Sequence, residues 1–131
     1  MTNFRLEVRK REHALYVIDE ANEQYERMPC ALGSNVPMDG YDCITHEGQF
    51  QVSQIYESQD FGWPGDSTGR RRPYGPFLLE LNHKFMGIHG TDEPDSIGLD
   101  LTHGCIRLRN EDITKLVRKY VDIGTIIEIT E

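Results

Sequence analysis

The chain has 131 residues, a formal net charge of −8 and an isoelectric point near 5.1, which argues against a general nucleic-acid binder, since that class carries a basic surplus. Apolar residues make up 37% and aromatics 9%, enough for a modest core in one ordinary domain spanning residues 1–131. No run approaches the ~18 apolar residues that a membrane span needs, and the N-terminal MTNFRLEVRKREH lacks the apolar stretch of a signal peptide.

Taken in order, the first third reads as strands. Residues 4–9 alternate apolar and polar, as a strand with one buried face does. Residues 14–18 form a second run of β-formers, 19–22 a turn, and 24–32 a third strand ending at Gly33. Arg9-Lys10-Arg11 falls at a hairpin end, where a solvated turn is its default reading. Residues 33–40 are loop by composition. Thr45-His46-Glu47-Gly48-Gln49-Phe50 is a turn that feeds a strand over 49–56.

Residues 57–76 show little periodicity and hold Trp63 and Arg70-Arg71-Arg72. A loop of this length in a small domain is unusual unless it is functional or mobile. The three arginines either meet carboxylates or stay solvated. A turn and strand follow over 74–81, a hairpin tip at Asn82-His83, and a strand over 85–89 that delivers His89 at its end. Residues 91–101 are a spacer loop. Asn110 is placed as a helix N-cap, with Glu111 and Asp112 in the first turn. Ile113, Leu116, Val117 and Tyr120 form one apolar helical face, and 125–129 closes the chain as a strand.

The chemistry concentrates between Ile88 and Asn110, which reads IHGTDEPDSIGLDLTHGCIRLRN. Cys105 follows Thr102-His103-Gly104, and His89-Gly90 lies 16 residues upstream of the cysteine. An unperturbed thiol titrates near ~8.5, so it needs a base to act as a nucleophile at neutral pH. This stretch supplies two imidazoles for one thiol. A metal reading fails on spacing: structural zinc sites use four ligands in paired short gaps, and His103-Gly104-Cys105 is a single one-residue gap with no second pair. The blandest reading is a cysteine acting as a small buried hydrophobe. The three cysteines are odd in number, so at least one thiol is free, and the motif nominates Cys105. Cys30 and Cys43 either pair in an oxidising compartment or, the favoured reading without a CxxC or dense pattern, stay free or buried.

These residues resemble the signature of the L,D-transpeptidase catalytic domain, the YkuD family, and within it the ErfK/YbiS-like branch. The family motif is His, a spacer, Ser or Thr, then His-Gly-Cys with a downstream Asn, and His89, Thr102, His103, Gly104, Cys105 and Asn110 match it. Thr45 to Phe50 resembles the family's Thr-Pro-x-Gly-x-Phe, with His46 in place of proline. The resemblance implies a mainly β, sandwich-like fold with one short helix in the C-terminal half. It implies a thioester mechanism on peptidoglycan stem peptides, with no metal or organic cofactor.

In that mechanism Cys105 attacks between diaminopimelate at position 3 and D-Ala at position 4, and His89 is the general base. Backbone N–H groups around His103, Gly104 and Cys105 are candidates for an oxyanion hole. His103 shapes the cleft or polarises the carbonyl. Arg107 holds a substrate carboxylate, orders the site or sits in a structural ion pair. Thr102 and Gly90 complete the substrate-binding set. The acceptor is an amine, giving a 3→3 cross-link or a lipoprotein anchor, or it is water, giving an L,D-carboxypeptidase. Carbapenem acylation of Cys105 is a further implication. A non-catalytic wall-peptide module and a redox-sensing cysteine are the rivals from other classes. The implied location is the periplasm or extracytoplasmic wall, so a chain without a signal peptide is expected to be a trimmed domain.

Overall fold

Alternation decides the first strand. Leu6 and Val8 are fully buried, while Arg5, Glu7 and Arg9 between them remain partly exposed. The computed structural model describes residues 4–19, 21, 23–38, 40–57, 74–83 and 86–131. Among these the strands are β1 (Arg5–Arg9), β2 (Ala14–Ile18), β3 (Gln24–Gly33), β4 (Gly48–Glu57), β5 (Phe77–Leu81), β6 (Gly87–His89), β7 (Asp100–Thr102), β8 (Ile106–Leu108) and β9 (Ile126–Thr130). One helix, α1 (Asn110–Lys115), continues as a wider π-type turn over Leu116–Tyr120.

The strands close on themselves in the order β2-β1-β9-β4-β5-β6-β8-β3, with β3 returning to β2 and β7 added beside β3. Closure depends on the two longest strands. The first half of β3 pairs with β2 and its second half with β8. The first half of β4 pairs with β9 and its second half with β5. Two sheets thus share two strands, which gives a mainly β, sandwich-like barrel with few open edges. Inside it sit Leu15, Val17, Met28, Leu79, Ile88, Ile106, Leu108, Ile127 and Ile129. All five residues of β2 are buried because its outer face is covered too: Ala14, Tyr16 and Ile18 form a second small cluster.

The helix docks through Ile113 and Leu116, both fully buried, and Tyr120. Lys115 Nζ and Tyr120 Oη each bond the Glu26 carboxylate on β3 at 2.5 Å. Among the described residues no helix is long and apolar enough to cross a membrane.

Three local features differ from the sequence reading. The spacer 91–101 ends inside a strand, since β7 begins at Asp100. The end of the His-Gly-Cys motif is also a strand, β8, only three residues long. The residue that caps α1 is Arg109, without a side-chain capping bond, and Asn110 occupies the first helical position. The Asn110 amide oxygen accepts the Thr91 N–H at 2.8 Å instead. The readings of Trp63 and Arg70-Arg71-Arg72 fall within 58–73 and lie outside the described residues.

Candidate active site

Strand parity builds the site. β6 and β8 run parallel, with Ile88 beside Ile106 and His89 beside Arg107. Ile88, Ile106 and Leu108 are fully buried in the core. Side chains alternate along a strand, so His89, Cys105 and Arg107 share the opposite, outer face. Cys105 immediately precedes Ile106 and so lies beside Gly87, whose backbone hydrogen-bonds the sulfur. His89 is one diagonal step away, roughly 8 Å between backbone positions at ordinary strand spacing and rise. Gly87 is required there because a Cβ would stand 2.8 Å from the Leu79 carbonyl oxygen on β5.

His89 is 3% exposed. Its Nδ1 donates to the Gly90 carbonyl at 2.6 Å, which leaves Nε2 as the unprotonated, accepting nitrogen. The Tyr74 ring packs edge-on against the imidazole with centroids 4.7 Å apart. Burial lowers the His89 pKa to about 4; the Gly90 bond opposes this and the Arg107 charge adds to it. Burial pushes the Cys105 thiol pKa up, while the Gly87 bond and Arg107 pull it down in part. Burial thus favours a neutral imidazole and a protonated thiol over an ion pair.

The turn carrying the cysteine is held by hydroxyls. The Thr102 hydroxyl donates to the Cys105 carbonyl at 2.7 Å and accepts the Gly104 N–H at 3.1 Å. The Gly104 N–H is thus committed within the turn. Gly104 has φ 130, a region that favours glycine. Thr45, 1% exposed, donates its hydroxyl proton to the Gly104 carbonyl at 2.9 Å and accepts the Gly33 N–H at 2.9 Å. His103 is exposed, with the Tyr41 ring 5.2 Å from its own.

A family model described as the L,D-transpeptidase catalytic domain, YkuD, matches residues 3–129. The chain belongs to this family. It is 43% identical over 58 residues to YkuD of Bacillus licheniformis, which covers 44% of this chain and 34% of that protein. It is 41% identical over 64 residues to YbiS of Escherichia coli K12, covering 49% of this chain and 20% of the relative. The chain therefore spans only a third and a fifth of these curated relatives' lengths. Among solved structures, L,D-transpeptidase 3 from Mycobacterium tuberculosis, in complex with a faropenem-derived adduct, superposes with a TM-score of 0.74 at 17% identity. That match covers 98% of this chain and 60% of the other, and at this identity it shows the fold alone.

In this YkuD domain the residues flanking His89 are built from two glycines pressed together. The Gly90 N–H donates to the Tyr74 carbonyl at 2.8 Å. A Cβ on Gly75, which has φ 64, would stand 2.4 Å from Asn110 Oδ1 and 2.7 Å from Gly90 Cα. A Cβ on Gly90 would meet the same Asn110 oxygen at 2.3 Å. Gly90 and Asn110 thus pack the turn behind His89. Gly75→Ala is expected to destabilise the fold by about 3 kcal/mol, from overpacking plus a left-handed backbone. Urea denaturation read as a midpoint shift at unchanged slope measures it; an unchanged midpoint would show that the two glycines need not touch.

Arg107 lies beside His89 and donates from Nη1 to Ser96 Oγ at 2.9 Å. Its Nε is buried and has no hydrogen-bond partner among the described residues. No set of three His, Cys, Asp or Glu residues among those described converges to hold a metal.

Of the residues singled out from the sequence, His89, Cys105 and Arg107 share one face, and Thr102 and Gly104 form the turn below them. His103 points to the outside with Tyr41. The sequence reading missed Gly87, Thr45, Tyr74 and Ser96. Gly87 was recoverable from parity, two residues before His89. Tyr74, Thr45 and Ser96 reach the site by tertiary packing, for which no local pattern exists.

Proposed function

We propose that residues 1–131 act as one catalytic domain, a peptidoglycan L,D-transpeptidase with Cys105 as nucleophile and His89 as general base. Membership of the YkuD family supports transpeptidase chemistry. The observation that carries the site assignment is the shared face of β6 and β8, with Cys105 beside Gly87 and the His89 Nδ1 tied to Gly90 so that Nε2 is the basic nitrogen.

The substrate is a stem tetrapeptide. Nε2 of His89 takes the thiol proton as sulfur attacks the carbonyl between diaminopimelate at position 3 and D-Ala at position 4. The C–N bond breaks, His89 returns the proton to the departing D-Ala amine, and a thioester remains on Cys105. An acceptor amine then attacks the thioester, its proton passes through His89 to the thiolate, and an amide forms as the free thiol is restored. A 3→3 cross-link and a protein anchor are both products of this step. The backbone around Gly104 and Cys105 stabilises the oxyanion. No metal or cofactor enters these steps, and the substrate places the domain in the extracytoplasmic wall.

Arg107 holds a substrate carboxylate, supported by its buried Nε without a partner. Arg107→Lys, which keeps the charge and loses the fork, is expected to raise KM about 10-fold with a smaller change in kcat. Steady-state kinetics on a tetrapeptide check this, and an unchanged KM would return Arg107 to a purely structural role.

The function is tested by mass spectrometry of the protein incubated with a disaccharide-tetrapeptide. Loss of D-Ala with dimer formation is the expected result. Loss of D-Ala giving tripeptide alone would make water the acceptor. Unchanged substrate across several stem types would overturn the enzymatic reading in favour of a binding module.

A further inference from the structure

We infer that Thr45, 59 residues from Gly104 in the chain, is a positioning residue that aims the oxyanion-stabilising N–H of Cys105. This rests on the reading of Cys105 as the nucleophile. A trans peptide unit is planar, so its C=O and N–H point in opposite directions. The unit between Gly104 and Cys105 carries the Gly104 carbonyl at one end and the Cys105 N–H at the other. Thr45 Oγ1 holds that carbonyl at 2.9 Å, so it directs the Cys105 N–H away from itself.

The need for such a tether follows from the glycine. Gly104 adopts φ 130, which few other residues can, and the same freedom lets the following peptide unit rotate at little cost. The units on either side are already pinned by Thr102, through the Gly104 N–H and the Cys105 carbonyl. Thr45 fixes the remaining one. With the Gly104 N–H engaged by Thr102 at 3.1 Å, the direction of the Cys105 N–H becomes the adjustable element of the turn.

Thr45 is itself rigidly set. Its Oγ1 accepts the Gly33 N–H at 2.9 Å, and Gly33 is paired with Thr102 of β7. A Cβ on Gly33 would stand 2.3 Å from the Cys43 carbonyl oxygen and 2.9 Å from the Thr45 nitrogen. Glycine at that position is what lets the segment leading into β4 lie directly on β3 and carry the threonine to the turn. Thr45 is 1% exposed, so no water competes for its hydroxyl. The hydroxyl's two partners use its donor and one acceptor position, a geometry that serine reproduces and valine does not.

The test separates carbonyl chemistry from thiol reactivity. Acylation by faropenem passes through a tetrahedral oxyanion, whereas alkylation by iodoacetamide does not. Both are followed by mass on the intact protein and on the Cys105 peptide. For Thr45→Val, acylation is expected to fall about 100-fold, the effect of losing one oxyanion donor, with alkylation within about 2-fold of the unmodified protein. Thr45→Ser is expected to restore acylation to within about 3-fold. Equal loss of both reactions, unchanged acylation in the valine variant, or failure of serine to restore it would overturn the assignment. Faropenem acylation that is absent, or that persists in Cys105→Ala, would instead overturn the nucleophile reading, and the Thr45 assignment with it.

Discussion

Cys105→Ala is expected to reduce acyl transfer from a stem tetrapeptide by at least about 10⁴-fold while leaving the fold intact. The expectation comes from position. Cys105 is half-buried immediately before β8, next to Gly87, while Cys30 and Cys43 are fully covered. Burial pushes Cys30 up to about 12, so its thiolate is not accessible at neutral pH. Neither buried thiol can substitute. The alanine variant loses a partly buried sulfur and one backbone hydrogen bond from Gly87, so its thermal midpoint should move by only a few degrees. Release of D-Ala measured beside a melting curve checks both parts. Residual release well above about 10⁻⁴ of the normal rate in a folded variant would mean that another group performs the attack.

His89→Gln is expected to lower kcat/KM by about 10²–10⁴-fold, the usual worth of a positioned base. Glutamine keeps a polar side chain but cannot take a proton at Nε2. The pH dependence is the sharper readout. In the proposed mechanism the active form is the neutral imidazole, and burial in the first place lowers the His89 pKa to about 4. Activity should therefore be retained as pH falls through the ordinary histidine range near ~6.5 and decline only near 4. On the alkaline side, the raised thiol pKa means that Cys105 alkylation keeps increasing past pH ~8.5.

The same shift bears on stability, with a definite sign. Between about 4 and ~6.5 the unfolded chain binds a proton at His89 that the native state does not, so stability is lost as pH falls through that window. The full shift amounts to about 3 kcal/mol, and His89→Gln removes this linkage. Circular dichroism at each pH separates an acid limb in activity from acid unfolding. An acid limb centred near 6.5 in a fully folded protein would contradict the buried, neutral base.

Much of this was legible in the residues. The alternation of Leu6 with Val8 and of Ile127 with Ile129 marks strands whose buried faces meet in one core. β1 lies where its alternation puts it, β2 where its run of β-formers does, and β3 ends at Gly33 as read. The motif around Cys105 is local in sequence, so its residues could be named before their positions were known. β7 and β8 were not legible: each is three residues long, too short for period-two alternation to register. Asn110 looked like a cap because its residue type favours one. Its oxygen went instead to Thr91, a donor 19 residues earlier that helix signals do not reveal. Thr45 is the strongest case of the same limit. Its role depends on Gly33 opening a path for the chain and on Gly104 arriving from 59 residues away.

The most direct test of the central claim is to find the acyl group. The protein is mixed with a disaccharide-tetrapeptide, quenched in acid and digested, and the peptides are mapped by mass. The structure and the proposed chemistry predict a thioester-linked disaccharide-tripeptide on the Cys105 fragment, with Cys30 and Cys43 unmodified and no adduct in Cys105→Ala. Product formation with no adduct at Cys105, or an adduct that persists in the alanine variant, would contradict the account.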